Sequence, residues 1–454
     1  MKNSKVISLL LIALITISTT FVGCNSSTKE GEKSTKYVEP VFDENKTYNL
    51  QFAWWGDTKR ETATRAALDL WNERYPKIQI EGVSAGWDGY HDKLRIQLLT
   101  GKGGYFHIFQ FDPLYLRLFA EGERLMDLTP YLSKFEDIGT IDDVLFEDLK
   151  FNNNQIYALP SGIGGGILLY NKDTLDKYSI PYPTNKETEQ SMIERYRDLV
   201  DKARANGDER MWGIMDPLDT SASGYAGLVQ SRDVKPWSDN YLDTNLDSEE
   251  SIKIIEEIGN LAVEGLVVPT DITISTSSEY LDRYSGYSAV PTSATTSTIA
   301  QLKSEVGLEV LAGPDEGYTD YRVIGPAIPI AMNARVEEDE LLGASLKFLE
   351  WFLLSTEAAE KLGFARGVLP SKKQREYVKP TLDSVDSEIL RITEEVMALG
   401  NKPGQRMPAR IAAFDTVFQI SKDRYFFQGM SIRDFLIEGS KNGRPELLKG
   451  MEEQ

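Results

Sequence analysis

Three indoles, one carboxylate and two guanidiniums in the first quarter of the chain carry the chemistry most open to reading. Trp54 and Trp55 close an alternating apolar run, and Trp87 stands in the glycine-rich setting Gly86-Trp87-Asp88-Gly89. An indole offers a flat apolar face that lies against C–H surfaces, and a loop setting favours binding over packing. Consecutive strand residues point to opposite faces, so only one of Trp54 and Trp55 is expected to face a ligand. Asp112 ends another apolar run just before Pro113. Its carboxylate can accept hydrogen bonds from a ligand or cap the helix that begins at Pro113. Arg60 and Arg65 can fork onto a carboxylate or vicinal hydroxyls, although Arg65 beside Glu61 also reads as a surface ion pair. Gly56 lets a ligand approach the main chain, or simply makes a tight turn. Aromatic platforms with fixed hydrogen-bonding partners suit a polyhydroxylated ring with apolar C–H faces.

Composition excludes several other chemistries. The 454 residues carry 50 Lys+Arg against 70 Asp+Glu, a formal charge of −20. That balance disfavours nucleic acid and anionic headgroups as main partners, because phosphate binding needs a cationic surplus. A single cysteine allows no intrachain disulfide, and the two histidines, His91 and His107, leave little for a His-rich metal site or a Ser-His-Asp triad. No cofactor is implied. The run Gly162-Ile163-Gly164-Gly165-Gly166 fails as a phosphate loop, since Ile167 stands three residues after Gly164 and no Lys-Ser/Thr follows. The segment from Asp243 fails as a calcium loop, with Ser248 at the sixth position and Ile254 at the twelfth.

The elements that must position these groups alternate between strand and helix. Leu50, Phe52 and Trp54 repeat with period two, and Ala63, Ala66, Ala67, Leu70 and Trp71 share one helical face that Pro76 ends. A second strand starts at Ile78, Tyr90 to Thr100 returns to helical spacing, and Phe106 to Phe109 forms a third strand. Such alternation predicts a mostly parallel sheet covered by helices, whose ligand lies at the carboxyl ends of the strands. Leu168 to Tyr170 is strand-like, Asp247 is a candidate cap for a helix through Ile252 and Ile255, and 341–354 and 411–420 read as helices. Trp71 and Trp351, on apolar helical faces, are expected in the core. Residues 293–297 read as a Ser/Thr-rich loop able to donate hydroxyls.

Residues 1–24 read as a secretory signal: Lys2 and Lys5 precede an apolar run from Val6 to Ile17, too short to span a bilayer. Phe21-Val22-Gly23-Cys24 resembles a bacterial lipobox, which implies lipidation at Cys24 and an anchor on the extracellular face of the cell membrane. Phe21 departs from the usual leucine there. Residues 25–45 are expected to form a flexible tether. Loss of Lys2 and Lys5 takes the formal charge from −20 to −22.

Several blocks then stand in a fixed order: Trp54-Trp55-Gly56, Tyr75-Pro76-Lys77-Ile78, Gly86-Trp87-Asp88-Gly89-Tyr90, Gln110-Phe111-Asp112, Tyr157-Ala158-Leu159-Pro160, Leu169-Tyr170-Asn171-Lys172 and Arg366-Gly367-Val368-Leu369-Pro370-Ser371. Across residues 48–375 the chain resembles the family 1 extracellular solute-binding proteins, carbohydrate receptors of ABC importers. The resemblance implies an α/β, two-lobed periplasmic-binding-protein-like (type II) fold with a hinge and a sugar-filled interlobe cleft, and closure sensed by permease subunits. The lobes are expected to comprise 46–162 with 326–365, and 163–325 with 366–454. Gly162, Gly164 and Gly165 are the expected hinge, because glycine absorbs backbone rotation as a cleft closes. Trp212, Tyr225, Trp237 and Tyr287, in polar or glycine-containing surroundings, are candidates for the opposing wall, and Arg366 joins the ligand-binding set.

The early arginines and the Gly-Trp-Asp-Gly-Tyr block look like the branch that handles plant-wall oligosaccharides, pectin fragments included. A local cationic pair can outweigh a screened global negative field. Two other classes remain open at this level: a lipid-anchored glycoside hydrolase, and a binding protein of the same fold for a solute such as a peptide. With 70 acids a carboxylate pair can always be nominated, so the acids alone decide nothing.

Overall fold

The first strand shows why the alternation pattern was only half the story. In the computed structural model, strand β1 (Tyr48–Trp55) buries Tyr48, Leu50, Phe52 and Trp54 on one face and Ala53 and Trp55 on the other. It is a central parallel strand covered by helices on both sides. Helix α1 (Thr58–Arg74) follows, capped by the Asp57 carboxylate, which accepts from the Arg60 N–H at 2.9 Å. Strand β2 (Ile78–Ala85), helix α2 (Tyr90–Thr100) and strand β3 (Ile108–Gln110) complete the unit. The structure describes residues 37–449 other than 88, 101–104, 152–153, 277–279, 323, 338–339, 401–403 and 409. The secretory signal, Cys24 and Asp88 lie outside the described residues.

The first sheet has the order β2, β1, β3, Ile330–Met332, Ala158–Leu159. Its first three strands are parallel, and Ile330–Met332 runs antiparallel to both of its neighbours. The second sheet is antiparallel, with Gly166–Asn171 between Tyr287–Pro291 and Val306–Val310. Each sheet belongs to one lobe of a two-lobed fold. Gly162–Gly164 leads out of the first sheet into the second, Gly325–Ala327 leads back, and the two pair antiparallel. Val368 of the first lobe joins this crossing, its carbonyl accepting from the Ile163 N–H at 2.6 Å.

Most expected elements are present, and the exceptions have local causes. Helix Glu249–Val263 is capped by Ser248, while the carboxylate of Asp247 receives the Arg444 guanidinium at 2.7 Å. The Ser/Thr stretch 293–297 lies within a helix, Thr292–Ile299, where Thr295 and Ser297 turn their hydroxyls back onto carbonyls of Pro291 and Ala294. The helix from Ile411 continues to Gln428 and packs on a second one, Ile432–Leu448. Of the span 25–45 expected as a tether, the described part lies on the body: Tyr37 packs its ring on Tyr131, and Phe42 stacks on Tyr48. Residues 366–378 pack with the first lobe, since Arg366 bonds Gln110 and Thr64, and Ser371 bridges Ile141. Helix Ser384–Ala398 lies against Val306–Val310 of the second. The last change of lobe therefore falls after Val378 and not at 366.

A β-carbon at Gly162 would sit 1.8 Å from the Arg366 carbonyl oxygen, whereas one at Gly139 would meet nothing within 4 Å. Gly162→Ala is expected to cost about 3 kcal/mol in denaturant unfolding, and Gly139→Ala less than about 0.5 kcal/mol. Equal costs would contradict the close approach at the crossing.

Candidate functional site

The carboxyl ends of β1, β2 and β3 meet an aromatic pile. Trp55 lies 5.4 Å from Trp87 and 4.8 Å from His91, and the His91 ring stacks on Tyr115 at 4.6 Å with only 11° between planes. Trp87 caps the pile and is 54% exposed, the largest accessible aromatic face in this region. Offset and edge contacts of this kind fix ring orientation as well as burying area. Asp112 accepts from the Leu114 N–H at 2.9 Å, so it does cap the short turn Pro113–Tyr115, and burial raises its carboxyl above the usual range. His91 accepts the Asp112 N–H on Nε2 at 3.1 Å, which assigns the neutral ring its proton on Nδ1. Burial of that ring, at 6% exposure, holds its pKa down to about 4.

The Pro113–Tyr115 turn borders a cavity of about 640 Å³. One wall comes from the first lobe, with Leu114, Arg117 and Phe151, and the other from the second, with Tyr241, Arg406 and Met407. The Arg117 guanidinium lies 5.5 Å from the Phe151 ring centre and 5.2 Å from that of Tyr241, so it is flanked by a ring from each lobe. Its only ion pair among the described residues is a loose one with Glu121 at 3.8 Å. Arg406 donates to the Lys150 carbonyl at 3.2 Å and to that of Glu147, which ties the two walls together. The volume falls in the range of small-molecule sites, and the lining mixes ring faces with a few charged groups. Among the described residues, no group of three His, Cys, Asp or Glu side chains is placed to hold a metal ion.

The expected site residues divide. Trp55, Gly56, Trp87 and Asp112 come together at the strand ends. Trp54 does not: it is fully buried on the opposite face of β1 beside Phe52, as strand parity requires. Tyr225 and Trp237 are fully buried among Phe414, Phe418 and Phe435, and Tyr287 packs on Tyr196. These three are core residues of the second lobe. Trp212 is half-buried beside Tyr284 and pairs its main chain with the 284–286 segment. Arg60 and Arg366 are buried too: Arg60 donates to the carbonyls of Trp55 and Ala365, and Arg366 to Gln110 and Thr64, with its Nη1 enclosed and left without a partner. Neither presents a free guanidinium fork to a ligand. Arg65 pairs with Glu61 at 2.6 Å. Trp71 and Trp351 are core, as their helical faces imply. Sequence reasoning passed over Arg117, Phe151, Tyr241 and His91. For Tyr241 a signal existed: it sits in the polar turn Asp239-Asn240-Tyr241-Leu242-Asp243, the same kind of setting that marked Trp87.

A model of the bacterial extracellular solute-binding protein family matches residues 66–380. The chain belongs to this family. An arabinooligosaccharide-binding protein of Bacillus subtilis (strain 168) is 27% identical over 184 residues, which span 40% of this solute-binding protein and 38% of that relative's own length. Among solved structures, a periplasmic solute-binding protein from Pectobacterium atrosepticum aligns with a TM-score of 0.73 at 15% identity, covering 89% of this chain and 99% of that one. An ABC substrate-binding protein from Listeria monocytogenes in complex with cycloalternan aligns at 0.72 and 17%, covering 89% and 99%. A periplasmic oligogalacturonide-binding protein from Yersinia enterocolitica in complex with saturated digalacturonic acid aligns at 0.71 and 17%, covering 89% and 100%. At these identities the likeness is one of fold. No helix among the described residues is long and apolar enough to cross a membrane.

The depressed pKa of His91 has a consequence for acid stability. Between pH 6.5 and 4 the unfolded chain takes up a proton that the native ring refuses, so native stability falls as pH falls through that window. We expect the wild type to lose about 2 kcal/mol more than His91→Gln between pH 7 and 4.5, read from thermal or urea unfolding at each pH. The opposite-signed contribution of Asp112 is present in both proteins and cancels. Parallel pH profiles would contradict the buried neutral ring.

Proposed function

We propose that this protein is a receptor, lipid-anchored at Cys24 on the extracellular face, that holds an oligosaccharide between its lobes and delivers it to the permease subunits of an ABC importer. The observation that carries the reading is the interlobe cavity, where Arg117 is flanked by Phe151 and Tyr241. Ring faces from both lobes suit the C–H faces of sugars, and the guanidinium and main-chain groups suit hydroxyls. A ligand that touches both walls stabilises the closed arrangement by its differential affinity. Gly162, Gly164 and Gly165, at the paired crossing, are the proposed hinge.

The ligand class we favour is plant-wall oligosaccharide, including uronate-bearing pectin fragments. Arg117 is the group proposed to meet a uronate carboxylate, in place of Arg60, whose donors are spent on main-chain carbonyls. The arabinooligosaccharide-binding relative and the oligogalacturonide-binding fold neighbour support the same class. The family is one of binding proteins, and no catalytic role is proposed for any residue.

Isothermal titration of the mature chain with arabinooligosaccharides and oligogalacturonides tests the reading. Trp87→Ala and Tyr241→Ala are each expected to weaken binding at least about tenfold, roughly 1.4 kcal/mol. Trp87→Ala should leave the melting temperature nearly unchanged, because that indole is largely exposed. Arg117→Gln is expected to weaken oligogalacturonide binding more than arabinooligosaccharide binding, and equal losses would remove the uronate contact. Release of shortened sugars during titration would point to a hydrolase and overturn the receptor.

A further inference from the structure

Arg366 is 3% exposed and forms no ion pair among the described residues. An unneutralised buried guanidinium is costly, and burial together with the neighbouring Arg60 charge lowers its pKa well below the ordinary value. A group kept at such cost and not spent on ligand invites the question of what it holds. Its Nε donates to Gln110 Oε1 at 3.0 Å and an Nη donates to Thr64 Oγ1 at 2.8 Å. Gln110 in turn donates its amide Nε2 to the Trp55 carbonyl at 2.5 Å, and Arg60 donates to the same carbonyl at 3.0 Å. Arg60 also donates to the Ala365 carbonyl at 2.9 Å. The end of β1, where the aromatic pile begins, is therefore bonded from two sides to the segment 365–366.

That segment is also locked to the crossing strand. Val368 accepts from the Ile163 N–H, and Gly367, at φ 95°, brings its Cα side so near Ile163 that a β-carbon would lie 2.5 Å from that carbonyl oxygen. The Arg366 carbonyl meets Gly162 at a distance that admits no side chain there. Rotation of the backbone at 162–164 cannot occur without moving residues 366–368.

We infer that Arg366 and Gln110 are positioning residues that couple the interlobe crossing to the aromatic edge at Trp55, so that the hinge and the ligand wall move as one unit. Gln110 is the informative member, because its amide must accept from one group and donate to another. Gln110→Glu keeps shape and acceptor, and gives Arg366 the carboxylate it lacks. A carboxylate cannot donate to the Trp55 carbonyl, so the Gln110 arm of the coupling breaks and only the Arg60 arm is left, while the fold gains an ion pair.

The test compares wild type, Gln110→Glu and Arg366→Lys in the full mature chain. Without any ligand, hydrogen exchange is expected to speed up at least about fivefold at both 55–60 and 162–164 in each variant, while Gln110→Glu keeps or raises the melting temperature. Faster exchange at 55–60 alone, or no change at either segment, would overturn the inference. This arm stands even if the receptor reading fails. Only the binding arm rests on that reading: with arabinooligosaccharides and saturated digalacturonic acid as probes, Gln110→Glu should weaken whichever binds the wild type by at least about tenfold. A stable Gln110→Glu with wild-type affinity would also overturn it, whereas a wild type that binds neither probe counts against the receptor and not against the coupling.

Discussion

The rest of the structure depends on three segments of main chain meeting at Ile163. This residue pairs with Pro326 in the antiparallel crossing and donates its N–H to the carbonyl of Val368. The two sheets differ in topology yet share one contiguous buried cluster, which runs from Phe52 and Trp54 of the first to Ile167, Leu169 and Val310 of the second. Short paired strands join them, and glycines at 162 and 164 keep side chains out of the tightest approach. The cavity between Phe151 and Tyr241 has one wall from each of the lobes so joined.

Burial and charge are distributed accordingly. The body carries a large negative excess, yet the two guanidiniums at the strand ends are buried against carbonyls, an amide and a hydroxyl instead of acids. A carboxylate in their place would neutralise them more cheaply but could not hold a carbonyl. Stability is lowered locally in return for a fixed strand end, a trade proteins make at functional positions. Across the cavity the charged contacts differ in kind. Arg117 rests on rings, and Arg406 reaches carbonyls of the other lobe, both compatible with a wall that opens.

Much of the fold was legible because its signals are local. Period two at Leu50, Phe52 and Trp54, the 3.6-residue face through Trp71, and the turn at Asp112-Pro113 each report on their own neighbourhood. Parity alone implied that Trp54 and Trp55 would lie on opposite faces, but both are buried, in the clusters on either side of β1, and Trp55 reaches the strand ends only through its contact with Trp87. Polar neighbours misled at Tyr225, Trp237 and Tyr287: flanking residues describe the chain nearby, whereas Tyr225 and Trp237 are buried by helices Ile411–Gln428 and Ile432–Leu448, about 175 to 210 residues further on, and Tyr287 by Tyr196. The Ser/Thr stretch 293–297 read as a loop because hydroxyl residues are weak helix formers, and tertiary packing overrode that preference. Arg60 and Arg366 had the right residue types for a ligand fork but the wrong surroundings. Arg117 and Phe151 gave no local signal, because what makes them a site is the wall that faces them.

A receptor of this kind requires that ligand draw the two lobes together about the Ile163 junction. Spin labels at Asp69→Cys on α1 and Lys253→Cys on helix Glu249–Val263, in a Cys24→Ser background, report that separation directly. Saturation with an oligosaccharide that gives binding heat should shift the label-to-label distance distribution to a shorter, narrower one. A distribution unchanged under saturating sugar would contradict closure as the means by which binding is signalled.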